Sequence, residues 1–342
     1  MTILDNYAQS TLKVERMVFH LVGPDPAHFV RLEEVKPIRF TDFFIERIRS
    51  IGGGLRYEFT DASATRTRLS RIANDDTVFQ DESEKLAEDF QNKHGGSTAT
   101  GAFLVFKLSA NSKPFFGLLK YDDEKVLTYA LEDARGGRKK VKLDAIERTF
   151  VQNRAALQKV ALIELKRRGG DLIVLDRQNP QKVARYFEGF LDATRVFDDA
   201  RLTELLVKVT REVVHANPDL VPEDVYSNVT RRTYDAASSG GSLDVDSHKQ
   251  FLDAVMGRTL RDDDPLIAKF MSGLKRERID GAPITLDATN VKPPSVRKIN
   301  TQRGIHISVP SDLYDDLVEI HPNRIIIKDP KKDSFDDTER AR

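Results

Sequence analysis

The sequence predicts an α+β protein: an N-terminal antiparallel sheet domain with helices, followed by a mainly helical part and a C-terminal strand pair. Strand-like runs follow one another closely between residues 101 and 131, apolar side chains recur at helical spacing after residue 180, and strand-like runs return after residue 296. The domains are therefore expected at residues 1–178 and 179–330, with a charged, disordered tail at residues 331–342.

Strand and helix signals alternate in the first hundred residues. Strands are predicted at residues 12–22 and 55–59, and helices at residues 40–51 and 83–94. The turn signal Gly23-Pro24-Asp25-Pro26 follows the first strand, and two or three consecutive glycines follow each helix. Residues 60–71 are polar, and they are predicted to be irregular or weakly helical.

Five apolar runs form the expected centre of the sheet. The first three, at residues 101–109, 115–121 and 125–131, are separated by short polar loops and predict a meander of antiparallel strands. Two further runs, at residues 157–165 and 172–175, flank a glycine pair that is typical of a turn.

The character of the sequence changes near residue 178. Pro180 is expected at the first position of a helix. Tyr186, Phe187, Phe190 and Leu191 follow at helical spacing, and they predict a seam between the helical part and the sheet rather than a surface for stacking bases. Further helices are predicted at residues 200–215, 222–237, 247–256 and 265–278, and strands at residues 297–309 and 324–328.

Composition restricts the possible classes of function. The 342 residues suffice for two domains, or for one domain with a large subdomain. The absence of cysteine excludes disulfides, thiolate metal sites and cysteine nucleophiles. No apolar run reaches the length of a membrane span and no secretory signal is recognisable, so we expect a cytoplasmic protein without a membrane partner. Because 54 basic residues balance 54 acidic ones, DNA binding would require local basic patches.

Catalytic signals are sparse. The sequence contains no nucleophile elbow, phosphate-binding loop or paired-histidine motif, and it predicts neither a metal nor another cofactor. One alternative is a nuclease: Asp144, Glu164 and Lys166 match the acid and Glu-x-Lys pattern with which Mg²⁺-dependent nucleases hold the metal and stabilise phosphate charge. Asp171 and Asp176 bracket an apolar run, and we interpret them as solvated strand ends.

Positive charge is concentrated in loops that we predict to lie at nearby ends of the sheet. Such loops can follow a phosphate backbone, where counterion release drives binding with little sequence selectivity. A solvated surface turn is the alternative for each of them. The first predicted DNA-binding loop carries Arg135, Arg138, Lys139, Lys140 and Lys142, the second carries Lys166, Arg167 and Arg168, and a third contains Arg66, Arg68 and Arg71.

Six segments, in the same order along the chain, resemble the bacterial nucleoid-associated protein family called NdpA-like. Residues 79–90 (FQDESEKLAEDF) are similar to its Phe…Ser…Leu-Ala helix. Residues 157–163 (LQKVALI) and 172–191 are similar to its Gln-Lys-Ala strand and its Asp…Tyr-Phe-x-x-Phe-Leu helix. The central hairpin of the family resembles residues 101–109 and 115–121, and its terminal strand pair resembles residues 298–330.

The resemblance implies a cytosolic bacterial protein that associates with the nucleoid by binding DNA and has no known catalytic centre. We therefore predict a non-enzymatic protein that contacts the phosphates of double-stranded DNA through its basic loops. A homo-oligomer such as a homodimer would double the number of phosphate contacts. The second alternative is a protein-interaction adaptor for a DNA-bound enzyme or a phage-defence system.

Overall fold

Strands dominate the first half of the chain. A computed structural model of the protein describes residues 10–36, 41–49, 53–96, 98–111, 113–122, 124–133, 139–149, 157–301 and 303–328. The strands of this half are β1 (Lys13–Val22), β2 (Leu55–Phe59), β3 (Gly101–Ala110), β4 (Lys113–Asp122), β5 (Glu124–Asp133), β6 (Lys139–Thr149), β7 (Leu157–Leu165) and β8 (Gly170–Asp176). Its helices are α1 (Thr41–Arg49), α2 (Ala64–Asn74) and α3 (Phe79–His94).

Helices dominate the second half until short strands return near its end. The helices are α4 (Arg185–Leu191), α5 (Asp199–Ala216), α6 (Glu223–Ser238), α7 (Lys249–Met256), α8 (Pro265–Arg276) and the single turn α9 (Tyr314–Leu317). The strands are β9 (Ala193–Arg195), β10 (Ser242–Leu243), β11 (Ile284–Thr285), β12 (Val296–Asn300), β13 (His306–Pro310), β14 (Val318–His321) and β15 (Arg324–Ile327). This arrangement confirms the predicted α+β class.

The main sheet is antiparallel and has the strand order β1-β3-β4-β7-β8-β2-β9. The predicted meander is correct for β3 and β4, but it is wrong for the third run. Strand β5 instead pairs with β6 in a separate hairpin, and β7 takes the position beside β4. Since β7 is apolar on both faces, it fits the centre of a sheet that is covered on both sides.

Aromatic rings join the sheet to the helices. The Phe90 ring on α3 stacks on Phe103 of β3 with 4.7 Å between centroids, and it meets Phe190 of α4 edge-on at 5.4 Å. Phe187 and Leu191 are buried in the same core, which continues into α5, α7 and α8. The predicted seam is therefore confirmed. Helix α1 covers part of the opposite face of the sheet with Phe44 and Ile48.

Three helices differ from the sequence prediction, and one of them, α3, begins at Phe79 rather than at Ser83. Residues 64–74 form the regular helix α2, because Ser63 caps its first turn and Leu69 and Ile72 are buried beneath it. The start of α4 lies at Arg185 rather than near Pro180. A carboxylate oxygen of Asp176 accepts the backbone N–H of Ala184 at 3.0 Å, and this contact holds the intervening segment as a loop.

The predicted strands near the C-terminus are two hairpins. Strand β12 pairs with β13, so residues 297–309 hold two strands rather than one. Strand β14 pairs with β15 in the same antiparallel way. The hairpins share a small core in which Val309, Tyr314 and Val318 are buried.

Buried His20 makes the stability of the fold depend on pH. Its Nδ1 accepts the backbone N–H of Leu32 at 3.1 Å, and burial lowers the pKa of the ring from 6.5 to about 4. Between these pH values the unfolded chain binds a proton that the folded chain excludes. The free energy of unfolding should therefore fall as the pH drops from 6.5 towards 4, by up to about 1.4 kcal/mol per pH unit from this group. In urea unfolding measured between pH 6.5 and 4, the free energy of unfolding of His20→Asn should fall less steeply with pH than that of wild type. An equal pH dependence in both proteins would contradict the assignment to His20.

Candidate nucleic-acid interface

The turn between β7 and β8 presents three cations to solvent. Lys166, Arg167 and Arg168 are exposed, and the turn closes through Gly169, whose φ of 76° lies in the left-handed region that glycine adopts without strain. A Cβ atom at Gly170 would lie 3.1 Å from the Phe59 ring, so this position also favours glycine. The sequence predicted this turn and its exposed charges correctly.

Helix α2 adds a fourth cation beside the turn. Arg66 donates from Nε to the carbonyl oxygen of Gly169 at 3.1 Å. The other two arginines of the predicted third loop lie on the same helix but are held by acids: Arg68 contacts Asp89 at 2.8 Å, and Arg71 contacts Glu82 at 3.3 Å. The predicted loop is therefore a helix, and Arg66 is the arginine that it adds to the turn.

Two further cations reach this end of the sheet from other parts of the chain. Arg278, which follows α8, donates from Nη2 to Oδ2 of Asp171 at 2.8 Å, and Lys166 Nζ lies 2.5 Å from the same oxygen. Arg56 of β2 donates from Nε to the carbonyl oxygen of Arg278 at 2.7 Å. No local sequence pattern connects Arg278 with the turn, because the contact depends on how the helical half packs against the sheet.

Asp171 is the acid at the centre of this cluster. Burial opposes its ionisation, but the hydrogen bond from Lys166 and the charges of Arg278 and Arg56 outweigh burial and lower the pKa of the carboxyl group. Burial and the neighbouring Arg278 lower the pKa of Arg56. The interpretation of Asp171 as a solvated strand end is wrong, because its exposed fraction is only 9%.

The first predicted DNA-binding loop is in part a strand. Arg135 and Arg138 lie outside the described residues. Lys139, Lys140 and Lys142 belong to β6 rather than to a loop, and in the hairpin register they lie opposite Asp133, Glu132 and Ala130. The backbone register therefore places an acidic residue opposite two of these three lysine positions.

This hairpin joins the sheet at the end opposite to the β7–β8 turn. Tyr121, near the end of β4, pairs with Leu157 at the start of β7, and the hairpin connects these two strands. Strand β7 has nine residues, so the base of the hairpin and the turn are roughly 30 Å apart. The two basic segments were predicted to emerge at nearby ends of the sheet. This prediction is wrong, because the hairpin and the β7–β8 turn leave the sheet at opposite ends.

The nuclease pattern has a different explanation in the structure. Glu164 lies opposite Asp171 in the β7–β8 register, while Lys166 pairs with Asp171. Asp144 lies on β6, where side chains are not described. Among the side chains that are described, no three acids or histidines are close enough together to hold a metal ion. In this structure the lysine of the Glu-x-Lys pattern, Lys166, contacts Asp171 together with Arg278.

Two buried lysines lie on adjacent strands of the sheet. Lys159 Nζ is 2.6 Å from Oδ1 of Asp176, and Lys120 Nζ is 2.7 Å from Oδ1 of Asp122. The exposed fraction of Asp176 is 1%, so the interpretation of this residue as a solvated strand end is also wrong. Lys120 and Lys159 each lie within an apolar run of the sequence, and this was the signal that could have indicated a buried ion pair. Their burial makes them structural rather than part of the exposed surface.

The fold and the exposed turn define an α+β protein with a local basic surface on an otherwise charge-balanced chain. The chain belongs to the family described as nucleoid-associated protein YejK, whose model matches residues 36–335. This match confirms the resemblance to a bacterial nucleoid-associated protein family. A comparison with curated proteins finds no matching relative. None of the described helices combines the length and apolar character needed to cross a membrane.

The buried and exposed lysines should respond differently to removal of their charge. Lys159→Met leaves Asp176 buried without its ammonium partner and should lower the free energy of unfolding by about 3 kcal/mol or more. Lys166→Met removes a half-exposed lysine while Asp171 keeps its contact with Arg278, and it should cost less than about 1 kcal/mol. Denaturant unfolding of both variants measures this difference, and equal losses would contradict the separation into structural and surface cations.

Proposed function

We propose that the chain is a non-enzymatic, nucleoid-associated protein of the bacterial cytoplasm that binds the phosphate backbone of double-stranded DNA with little sequence specificity. The supporting observation is the exposed turn Lys166-Arg167-Arg168, together with Arg66, in a chain of the nucleoid-associated family. Arginine and lysine on a short turn present charge to phosphate oxygens without requiring base contacts.

The rigidity of the supporting strands suits this role. The turn connects two central strands that are paired without interruption from Lys159 and Asp176 to Leu165 and Gly170. The hydrogen bond from Arg66 to Gly169 further restricts the turn. A restricted turn loses less conformational entropy when it binds DNA than a free loop would.

The balance of charge predicts weak, salt-sensitive binding. A local patch on a neutral chain attracts DNA only at short range, since salt screens the field beyond about 10 Å. We propose that a homodimer compensates by presenting two such turns to DNA. A second contact in each protomer would be formed by the first predicted DNA-binding segment, which carries Arg135, Arg138, Lys139, Lys140 and Lys142.

Replacing the turn cations should weaken DNA binding and flatten its dependence on salt. The triple variant Lys166→Ala, Arg167→Ala and Arg168→Ala should bind a labelled duplex about tenfold more weakly at low salt. The slope of log affinity against log salt should become shallower by about 2 to 3, because each lost phosphate contact contributes about 0.9. Fluorescence anisotropy over a salt series measures both quantities.

A matched variant removes the same charge from another surface. Arg258, Lys269 and Lys292 are exposed in the helical half, and their replacement by Ala should change the affinity by less than about twofold. A separate variant with Ala at positions 138, 139 and 140 tests the hairpin contact in the same assay. If wild-type protein does not bind DNA at low salt, or if turn and matched variants bind equally, the proposed function of the turn is wrong.

A further inference from the structure

Asp171, beside the β7–β8 turn, holds two cations of the surface through one carboxylate oxygen. Its Oδ2 atom accepts from Lys166 Nζ at 2.5 Å and from Arg278 Nη2 at 2.8 Å. A phosphate oxygen between a lysine and an arginine would be held by the same two kinds of donor. The carboxylate therefore satisfies the cations that a DNA phosphate would otherwise engage.

Both cations can nevertheless be reached from solvent. The side chains of Lys166 and Arg278 are 48% and 39% exposed, whereas the side chain of Asp171 is 13% exposed. A phosphate approaching the turn would meet the two cations before it met the carboxylate. It would bind in competition with Asp171 and against the repulsion of that negative charge.

Arg278 has a position that is fixed independently of this ion pair. Its backbone adopts φ of 62°, and its carbonyl oxygen accepts from Arg56 Nε at 2.7 Å. This backbone anchor keeps Arg278 beside the turn, within reach of a phosphate there, if its side chain exchanges Asp171 for phosphate. The helical half therefore contributes a cation to the same surface as the sheet.

We propose that Asp171 is an internal competitor of DNA phosphate for Lys166 and Arg278, and that it sets the DNA affinity of this surface below the level that its cations alone would give. This inference rests on the proposed DNA-binding function. It assigns Arg278 to the phosphate-binding surface, and it gives Asp171 a role in tuning affinity besides its contribution to the fold.

The variant Asp171→Asn tests the competition, because it removes the negative charge and keeps the shape of the side chain. It should bind a labelled duplex about 3- to 10-fold more tightly than wild type at low salt. The salt slope should change by less than about 1, since Lys166 and Arg278 contact phosphates in both complexes and only the competing carboxylate charge is removed. The gain should disappear when Lys166 and Arg278 are also replaced by Ala.

Glu58→Gln is the matched control. Glu58 lies opposite Asp171 on the adjacent strand β2 and is exposed, so its removal changes the net charge equally at nearly the same place. Equal gains from D171N and E58Q would overturn the competitor role while leaving DNA binding by the turn intact. Absence of DNA binding by wild type and D171N alike would overturn the proposed function, and the inference with it.

A second measurement applies if D171N folds poorly. Arg278→Ala should make the salt slope of DNA binding shallower by about 1 relative to wild type. Thermal unfolding of each variant, followed by circular dichroism, identifies loss of structure. An unchanged salt slope in a folded Arg278→Ala protein would remove Arg278 from the DNA surface and overturn the proposed competition.

Discussion

The buried carboxylate of Asp176 is the constraint on which the junction between sheet and helices depends. It ends β8, where its Oδ1 atom accepts from Lys159 Nζ at 2.6 Å and from the backbone N–H of Gln178 at 3.1 Å. Its other oxygen accepts the N–H of Ala184 at the start of α4. Because burial of an unpaired carboxylate would cost several kcal/mol, the chain must leave the sheet along a path that satisfies these oxygens. That path lays Phe187 and Phe190 against the Phe90 ring and so joins the two halves through one core.

The same junction brings separated cations together at the opposite end of β7 and β8. Once the helical half is packed on the sheet, Arg278 lies beside Asp171, and α2 places Arg66 beside Gly169. The chain is neutral overall, yet the described turn gathers cations from the sheet and from helical segments. The relevant electrostatic property is therefore the local arrangement around Asp171 rather than the net charge, and it explains how a charge-balanced chain can hold a basic surface.

The sequence predicted those parts of the fold that depend on neighbouring residues. Apolar periodicity located β1, β3, β4, β7 and most helices, and the glycine pair located the turn of Lys166-Arg167-Arg168. Strand order was predicted less well, because the apolar run of β5 does not reveal that its partner is β6. Helix α2 was predicted only as an irregular or weakly helical segment, since its stability depends on the Ser63 cap and on tertiary burial of Leu69 and Ile72. Arg278 could not be found from sequence for the same reason: its contact with Asp171 is formed by the packing of distant segments.

Amide hydrogen exchange with and without a short DNA duplex tests most directly whether the β7–β8 turn is the phosphate-binding surface. We expect DNA to slow exchange at residues 164–171 and in the first turn of α2, where Arg66 lies, while the hairpins β12–β13 and β14–β15 exchange at their original rates. Slower exchange confined to residues 135–142, or unchanged exchange at residues 164–171 under conditions in which DNA is bound, would contradict the account.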